Sequence, residues 1–171
     1  MASHRQRTLV VVRHAKADWP DVPDHERPLA DSGRHDAPEI GNWLVNRRVH
    51  PDHVVCSTAA RTRETWKLMG KVFDPKPHTV YDDRLYEATA QSLLYVAQET
   101  ADDVDTLVMI GHNPGVATLV SVLAGSADGD ALERAREKYA TSGVALLRFE
   151  GAWGDLNEKA AHLAAFATPR A

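Results

Sequence analysis

Two histidines, His14 and His112, each follow a short apolar run, at residues 9–12 and 106–110. Such runs predict buried strands, and α/β sheets bind their ligands at the carboxyl ends of their strands. Arg13, directly before His14, adds a cation at the same place. A cation and two imidazoles at one sheet edge suit the binding of a phosphoryl group and its attack by a histidine nitrogen. The sequence therefore predicts a phosphate site with a histidine nucleophile.

Arg61 is a second candidate cation for this site. Residues 57–65 follow the apolar residues 54–56 and predict the start of a helix with Thr58 as N-cap. Arg61 then lies in the first turn, where the helix dipole disfavours a cation by about 0.3–1 kcal/mol. A bound anion offsets that cost, although a solvated Arg61 on an exposed face is the alternative. For Arg63 we expect a solvent-facing position.

His112 precedes a second predicted helix start. Asn113 is a suitable N-cap, Pro114 suits the first helical position, and Gly115 allows close approach of another backbone segment. The free N–H groups at such a helix start favour a bound anion. Taken alone, His112 can equally be a packed or capping residue; its coincidence with His14 favours the anion site.

Phosphoryl transfer also needs a proton donor for the leaving group. Two carboxylates are candidates: Glu87, just before a predicted helix, and Asp18, in the loop after His14. Either can instead be an ordinary surface residue. The proline-rich loop 19–28 either forms one wall of the pocket or is a stiff surface connection. The histidines have no third ligand at a metal-binding spacing, so we expect no metal ion.

The elements that must position these residues alternate along the chain. Strands are predicted at residues 9–12, 54–56, 106–110 and 144–149, with a late edge strand at 162–167. Helices are predicted at residues 40–47, 59–69, 91–99, 115–124 and 132–139. This alternation indicates a mostly parallel sheet covered by helices on both faces, a three-layer α/β/α sandwich. For the first helix, a start near Ser32 places Pro38 inside it, whereas a start at Asp36 places Pro38 in the first turn; we expect a kinked or broken start.

The composition is that of one globular domain spanning residues 1–171. The chain is 43% hydrophobic and 26% charged, and its net charge of −4 offers no excess of cations to a nucleic acid. The single cysteine, Cys56, cannot form an internal disulfide, and we expect it to be a buried strand thiol. The basic residues 1–7 precede an apolar stretch that is too short for a signal peptide, and no stretch is long enough to span a membrane. We expect a monomeric cytoplasmic protein that binds neither nucleic acid nor membrane.

Four pieces of the sequence, in this order, resemble the histidine phosphatase (phosphoglycerate mutase-like) superfamily. They are Arg13-His14-Ala15, residues 57–65 around Arg61, Leu85-Tyr86-Glu87, and Gly111-His112. The short chain, the Arg-His-Ala-Lys start, and the segments at residues 26–29 and 111–115 are similar to the compact SixA-type phosphohistidine phosphatase branch.

The resemblance implies a phosphoglycerate mutase-like fold and a transiently phosphorylated His14. It implies that Arg13, Arg61 and His112 hold the phosphoryl oxygens, with His112 protonated as a third donor, and that no metal or organic cofactor is needed. Glu87 matches the acid/base position, which varies in this branch, so Asp18 stays its rival. One departure is Ala15, which replaces the commoner glycine and adds a methyl group beside the pocket.

The substrate expected from this resemblance is a phosphohistidine in a protein. The short chain leaves little length for insertions that enclose a small substrate, which favours an open site. The alternatives are a phosphatase of a phosphosugar or a nucleotide-derived phosphomonoester, a mutase, and a catalytically silent phosphate-binding module.

Overall fold

The computed structural model describes residues 5–171, so the first four residues of the basic segment 1–7 lie outside the described part. The strands are β1 (Gln6–Arg13), β2 (His53–Cys56), β3 (His78–Tyr81), β4 (Thr106–Gly111), β5 (Ala124–Ala127), β6 (Val144–Glu150) and β7 (Ala161–Ala167). The helices are α1 (Asp31–Asn46), α2 (Ala60–Met69), α3 (Ala90–Gln98), α4 (Gly115–Leu123) and α5 (Ala131–Glu137).

The strands form one sheet in the order β3-β2-β4-β1-β6-β7-β5. Within the described residues every strand except β6 runs in the same direction. Leu9 and Val11 of β1 join an apolar cluster with α3, α4 and α5, whereas Val10 and Val12 join a second cluster with α1 and α2 on the other face. The expected three-layer α/β/α sandwich with a mostly parallel sheet is therefore confirmed.

Three neighbouring parallel strands deliver the candidate residues to one edge of this sheet. Arg13 pairs with Gly111 in the register of β1 and β4, and Cys56 pairs with Ile110 in that of β2 and β4. The residues that follow these strand ends, His14, His112 and Ser57, therefore emerge side by side. The central expectation from the sequence, that two histidines meet at a sheet edge, is correct.

The first helix differs from the expectation, because α1 runs from Asp31 to Asn46 with Pro38 inside it. Tertiary contacts hold its first turns in place. Gly33 lies against the backbone of Lys16, where an added Cβ would come within 2.1 Å of the carbonyl oxygen. Arg34 donates both to Asp31 and to Glu64 of α2. These contacts stabilise helix upstream of the proline, which the local pattern did not show.

Two strands were not anticipated, and the last strand is not at an edge. β3 is a four-residue strand with little burial, and β5 consists of small residues, so neither has an apolar strand pattern. β5 pairs in parallel with β7 and covers its outer side, so the predicted edge strand at residues 162–167 lies within the sheet. No helix in residues 5–171 is both long enough and apolar enough to cross a membrane.

Candidate active site

His14 lies at the carboxyl end of β1 and is 8% exposed. Its Nδ1 lies 2.7 Å from the carbonyl oxygen of Ala15, so Nδ1 carries the proton and donates it, and the lone pair is on Nε2. Burial lowers the pKa of His14 to about 4, and the nearby cations of Arg61, Arg13 and Arg27 act in the same direction. His14 is therefore a neutral imidazole at pH 7, with one nitrogen in the form that a nucleophile requires.

His112 lies beside His14, with the two ring centroids 5.3 Å apart. Its Nε2 is 2.7 Å from the hydroxyl oxygen of Ser57, at the end of β2. Burial, followed by the electrostatic interactions with His14 and Arg61, lowers the pKa of His112 to about 3. Without a bound ligand, His112 is therefore neutral at pH 7. The protonated form that the resemblance implies requires a phosphoryl dianion close to the ring, because the negative charge raises the pKa of His112.

Arg13 and His112 both present unused polar atoms at this edge. Arg13 Nη1 donates to the carbonyl oxygen of Tyr139 at 3.0 Å, but its buried Nε has no hydrogen-bond partner among residues 5–171. Nδ1 of His112 is also buried and without a partner among them. An unsatisfied buried polar group costs about 1–3 kcal/mol, and a bound anion at this edge removes part of that cost.

Arg61 is 7% exposed and lies in the first turn of α2, as the sequence predicts. The N-cap of α2 is Ala59, however, and not Thr58. The hydroxyl group of Thr58 donates to Asp83 and lies 2.8 Å from Nε2 of His25, so it is not available for capping. Arg63 is exposed, with its guanidinium over the ring of Tyr81 outside the site.

The loop at residues 19–28 forms one wall of the site and is not merely a stiff surface connection, which was the alternative. The loop closes at its base, where Asp18 N–H donates to the carbonyl oxygen of Pro28. At its tip, the backbone oxygen of Asp24 accepts from Arg61 Nη1 at 2.8 Å, and the Asp24 carboxylate accepts from Arg61 Nη2 at 3.1 Å. Since a guanidinium has five N–H groups, three remain for other partners.

α4 begins at Gly115, with Pro114 at the N-cap position and not Asn113. The Asn113 side chain still accepts from the N–H of Ala117, which is one of the unpaired donors of the first turn. Gly115 is required for close packing, because a Cβ there would lie 2.4 Å from the carbonyl oxygen of Ala88. This contact brings the segment that contains Glu87 against the helix start that follows His112.

The two candidate carboxylates lie in different places. Glu87 and His112 line the same open cavity of about 510 Å³. Glu87 also has a positive φ of 53°, which is unusual for a residue other than glycine and often marks a functional position. Asp18 is exposed, and its side chain accepts from the N–H of the next residue, Trp19. Of the two, only Glu87 lines the cavity.

The methyl group of Ala15 lies in the core and not beside the pocket as expected. Ala15 is fully buried in a small apolar cluster with Leu29 and Ala37. Its backbone N–H donates at 3.0 Å to the hydroxyl oxygen of Thr65, which in turn donates to the carbonyl oxygen of Arg61. The residue therefore ties the end of β1 to α2.

Sequence reasoning missed four residues at this site: Asp24, Arg27, Ser57 and Tyr86. The Asp24 carboxylate accepts from Arg27 and Arg61, and also from the hydroxyl group of Tyr86. The ring of Tyr86 meets that of His112 edge-on at 5.5 Å. Three of the four lie in segments on which the family resemblance rests, so a signal was present. Asp24 had none beyond its place in the loop.

This arrangement can be compared with known proteins. The family model described as histidine phosphatase superfamily (branch 1) matches residues 9–114, which include Arg13, His14, Arg61, Glu87 and His112. The chain belongs to the histidine phosphatase superfamily. An uncharacterized protein of Mycobacterium tuberculosis is 40% identical over 93% of this chain and 100% of the relative.

One solved structure is similar to this chain in sequence and fold, and a more distant one shares its fold. A Nakamurella multipartitia protein proposed to be the phosphohistidine phosphatase SixA is 33% identical, with a TM-score of 0.87 and 99% of each chain covered. A phosphoglycerate mutase of Plasmodium falciparum has a TM-score of 0.64 at 15% identity, covering 98% of this chain and 94% of its own. The resemblance to the superfamily and to its SixA-like branch is confirmed, as is the phosphoglycerate mutase-like fold.

Proposed function

We propose that this histidine phosphatase family member removes phosphate from phosphohistidine in proteins, through a phosphohistidine intermediate on His14. The observation that carries this proposal is the state of His14: a buried neutral imidazole whose Nδ1 proton is held by the Ala15 carbonyl oxygen, beside His112 and two arginines. The proposed reaction uses neither a metal ion nor an organic cofactor.

In the first step the lone pair of His14 Nε2 forms a bond to phosphorus, and the bond to the leaving group breaks with its electron pair moving to that group. Arg13, Arg61 and His112 hold the oxygens of the phosphoryl group, and their positive charge stabilises the negative charge of the transition state. In the second step water attacks the phosphorus and gives a proton to a carboxylate. His14 then leaves as a neutral imidazole, because its Nδ1 already carries a proton.

The open site supports a substrate that is part of a protein. Glu87 borders two cavities that are open to solvent, of about 510 Å³ and 300 Å³, and Tyr86 borders the second of them. The similarity to the proposed SixA phosphatase of Nakamurella multipartitia supports the same substrate class. We propose a cytoplasmic location.

The experiment that tests this function measures phosphate release, with EDTA present, from a phosphohistidine peptide, a phosphoserine peptide of the same sequence and a sugar phosphate. We expect turnover with the highest kcat/KM on the phosphohistidine peptide. A higher kcat/KM on the sugar phosphate would make the protein a small-molecule phosphatase. Phosphate-dependent thermal stabilisation without any release would make it a binding module.

The low pKa of His14 predicts an unusual pH dependence. Protonation of Nε2 removes the nucleophilic lone pair, so kcat/KM for p-nitrophenyl phosphate should hold between pH 7 and 5 and fall about tenfold per unit below a midpoint near 4. The profile is corrected for ionisation of the ester, and circular dichroism confirms that the protein is folded at each pH. A midpoint near the ordinary histidine value of about 6.5 would contradict the assignment of His14 as a buried neutral base.

The positions of the two carboxylates predict which one donates the proton. With a phosphoserine peptide, whose alkoxide is a poor leaving group, Glu87→Gln should lower kcat by about a hundredfold. The same change at Asp18, which lies outside the cavity, should alter kcat less than about twofold. With p-nitrophenyl phosphate, whose leaving group needs no proton, the loss in Glu87→Gln should be smaller. A larger loss in Asp18→Asn than in Glu87→Gln would reverse the assignment.

A further inference from the structure

Asp24 places a negative charge beside Arg61, which we propose binds the phosphoryl group. One of its carboxylate oxygens accepts from Arg27 at 3.0 Å, and the other accepts from Arg61 at 3.1 Å and from the Tyr86 hydroxyl group. Even so, its side chain is 49% exposed. For a plain phosphate dianion this arrangement is unfavourable, because the carboxylate offsets part of the charge of Arg61 and repels the incoming anion.

The interaction of the Asp24 carboxylate with the substrate becomes favourable if the substrate carries a positive charge next to its phosphoryl group. A phosphohistidine does so when the second ring nitrogen is protonated. The P–N bond breaks readily in that form, because the leaving group is then a neutral imidazole with its proton on the second nitrogen. Without that proton the leaving group is an imidazolate, which is a far poorer one.

We propose that Asp24 is a specificity-determining residue that accepts a hydrogen bond from the protonated second ring nitrogen of a substrate phosphohistidine. The inference rests on the proposed function and names the feature by which the site distinguishes this substrate from phosphate esters. No proton moves to or from Asp24. The bond from phosphorus to the substrate nitrogen breaks, its electron pair stays on that nitrogen, and the N–H that faces Asp24 remains in place.

The surroundings of Asp24 suit this role and do not suit a proton donor. The hydrogen bonds from Tyr86, Arg27 and Arg61 hold the pKa of Asp24 well below its usual range, so the carboxylate is ionised wherever the enzyme works. The oxygen that faces Arg27 has one hydrogen bond and room for another. The ring of Tyr86 meets that of His25 edge-on at 4.8 Å, which provides aromatic surface for a planar imidazole next to the carboxylate.

The test compares Asp24→Asn with wild type on a phosphohistidine peptide and on p-nitrophenyl phosphate. Any loss that comes from a displaced Arg61 affects both substrates and cancels in the ratio of the two kcat/KM values. We expect Asp24→Asn to lower the ratio of phosphohistidine to p-nitrophenyl phosphate by about tenfold or more, since a charge-assisted hydrogen bond is lost on one substrate only. The matched control is Asp21→Asn, the same change at an exposed residue of the same loop, which should leave the ratio as it is.

A second readout is the alkaline limb of kcat on the phosphohistidine peptide. Asp24 raises the pKa of the bound substrate imidazolium, so Asn at this position should move that limb to lower pH by about one unit or more. Within residues 5–171, the other charged or titratable groups around Asp24 are Arg27, Arg61, Tyr86, His112 and the His25 ring that packs on Tyr86, and the substitution leaves all of them in place.

The inference would be overturned if Asp24→Asn changed neither the ratio of the two kcat/KM values nor the alkaline limb of the pH profile of kcat. Asp24 would then only support Arg61. A rise in the ratio would overturn it as well. Failure of the proposed function is seen separately, in the wild type: an enzyme that cleaves p-nitrophenyl phosphate but not the phosphohistidine peptide excludes both the substrate class and the role of Asp24.

Discussion

Replacing His14 by alanine should lower kcat by at least about a thousandfold on every substrate that the wild type hydrolyses. The substitution removes the nitrogen that forms the bond to phosphorus, and neighbouring groups can bind the phosphoryl group but cannot attack it. The effect is measured as the rate of phosphate release at a saturating concentration of each substrate. The folded structure should persist, because the imidazole makes its hydrogen bond to the carbonyl oxygen of its own neighbour, Ala15, and not to another element.

His53→Ala is a suitable control for this experiment. His53 begins β2 and so lies at the end of the strand opposite to the site. Its ring stacks on that of His78, with the centroids 5.0 Å apart. This variant should retain kcat within about twofold. If His14→Ala kept a tenth or more of the wild-type kcat, His14 would be a binding residue and the nucleophile would have to be sought elsewhere.

Arg61→Ala should have the second largest effect, a loss of about a hundred- to a thousandfold in kcat/KM. Its guanidinium is the buried cation of α2 at the site, and its remaining N–H groups are the ones that can bind phosphoryl oxygens. The loss also leaves the Asp24 carboxylate without one of its cations, which adds repulsion against the phosphate. Arg61→Lys should recover part of the activity, because lysine keeps the charge without the planar fork.

Arg63→Ala is the matched comparison, on the same helix two residues further on. Arg63 is exposed, and its Nε donates to the carbonyl oxygen of Thr58 outside the site. We expect a change of less than about twofold in kcat/KM. Equal losses in the two variants would show that the charge of α2 acts from a distance and that Arg61 does not contact the phosphoryl group.

The sequence predicts those parts of the fold and site that depend on local pattern. The apolar runs of β1 and β4 are unambiguous, and once they are parallel neighbours His14 and His112 must emerge together. The predicted burial of Cys56 follows from the same kind of run and is confirmed. The start of α1 is less predictable, because its first turns are held by contacts with Lys16 and Glu64. Both residues lie outside α1, so the sequence pattern of the helix itself does not reveal these contacts.

The missed part of the site depends on contacts over long sequence separations. Asp24 meets Arg61 across 37 residues and Tyr86 across 62 residues. No spacing rule connects a loop aspartate to either of them, because only the packed fold brings the loop at residues 19–28 over α2. The caps were misassigned for a similar reason: the hydroxyl group of Thr58 is occupied by Asp83 and His25, which the local sequence does not reveal.

The most direct test of the account is to look for the phosphoryl group on His14 during turnover. Enzyme mixed with excess substrate is quenched in alkali within milliseconds, where phosphohistidine is stable, and the digested peptides are mapped by mass spectrometry. We predict phosphate on His14 that appears before product accumulates, decays when substrate is exhausted, and is absent from His14→Ala. Turnover by the wild type without phosphate on His14, or with phosphate on another residue, would contradict the central claim.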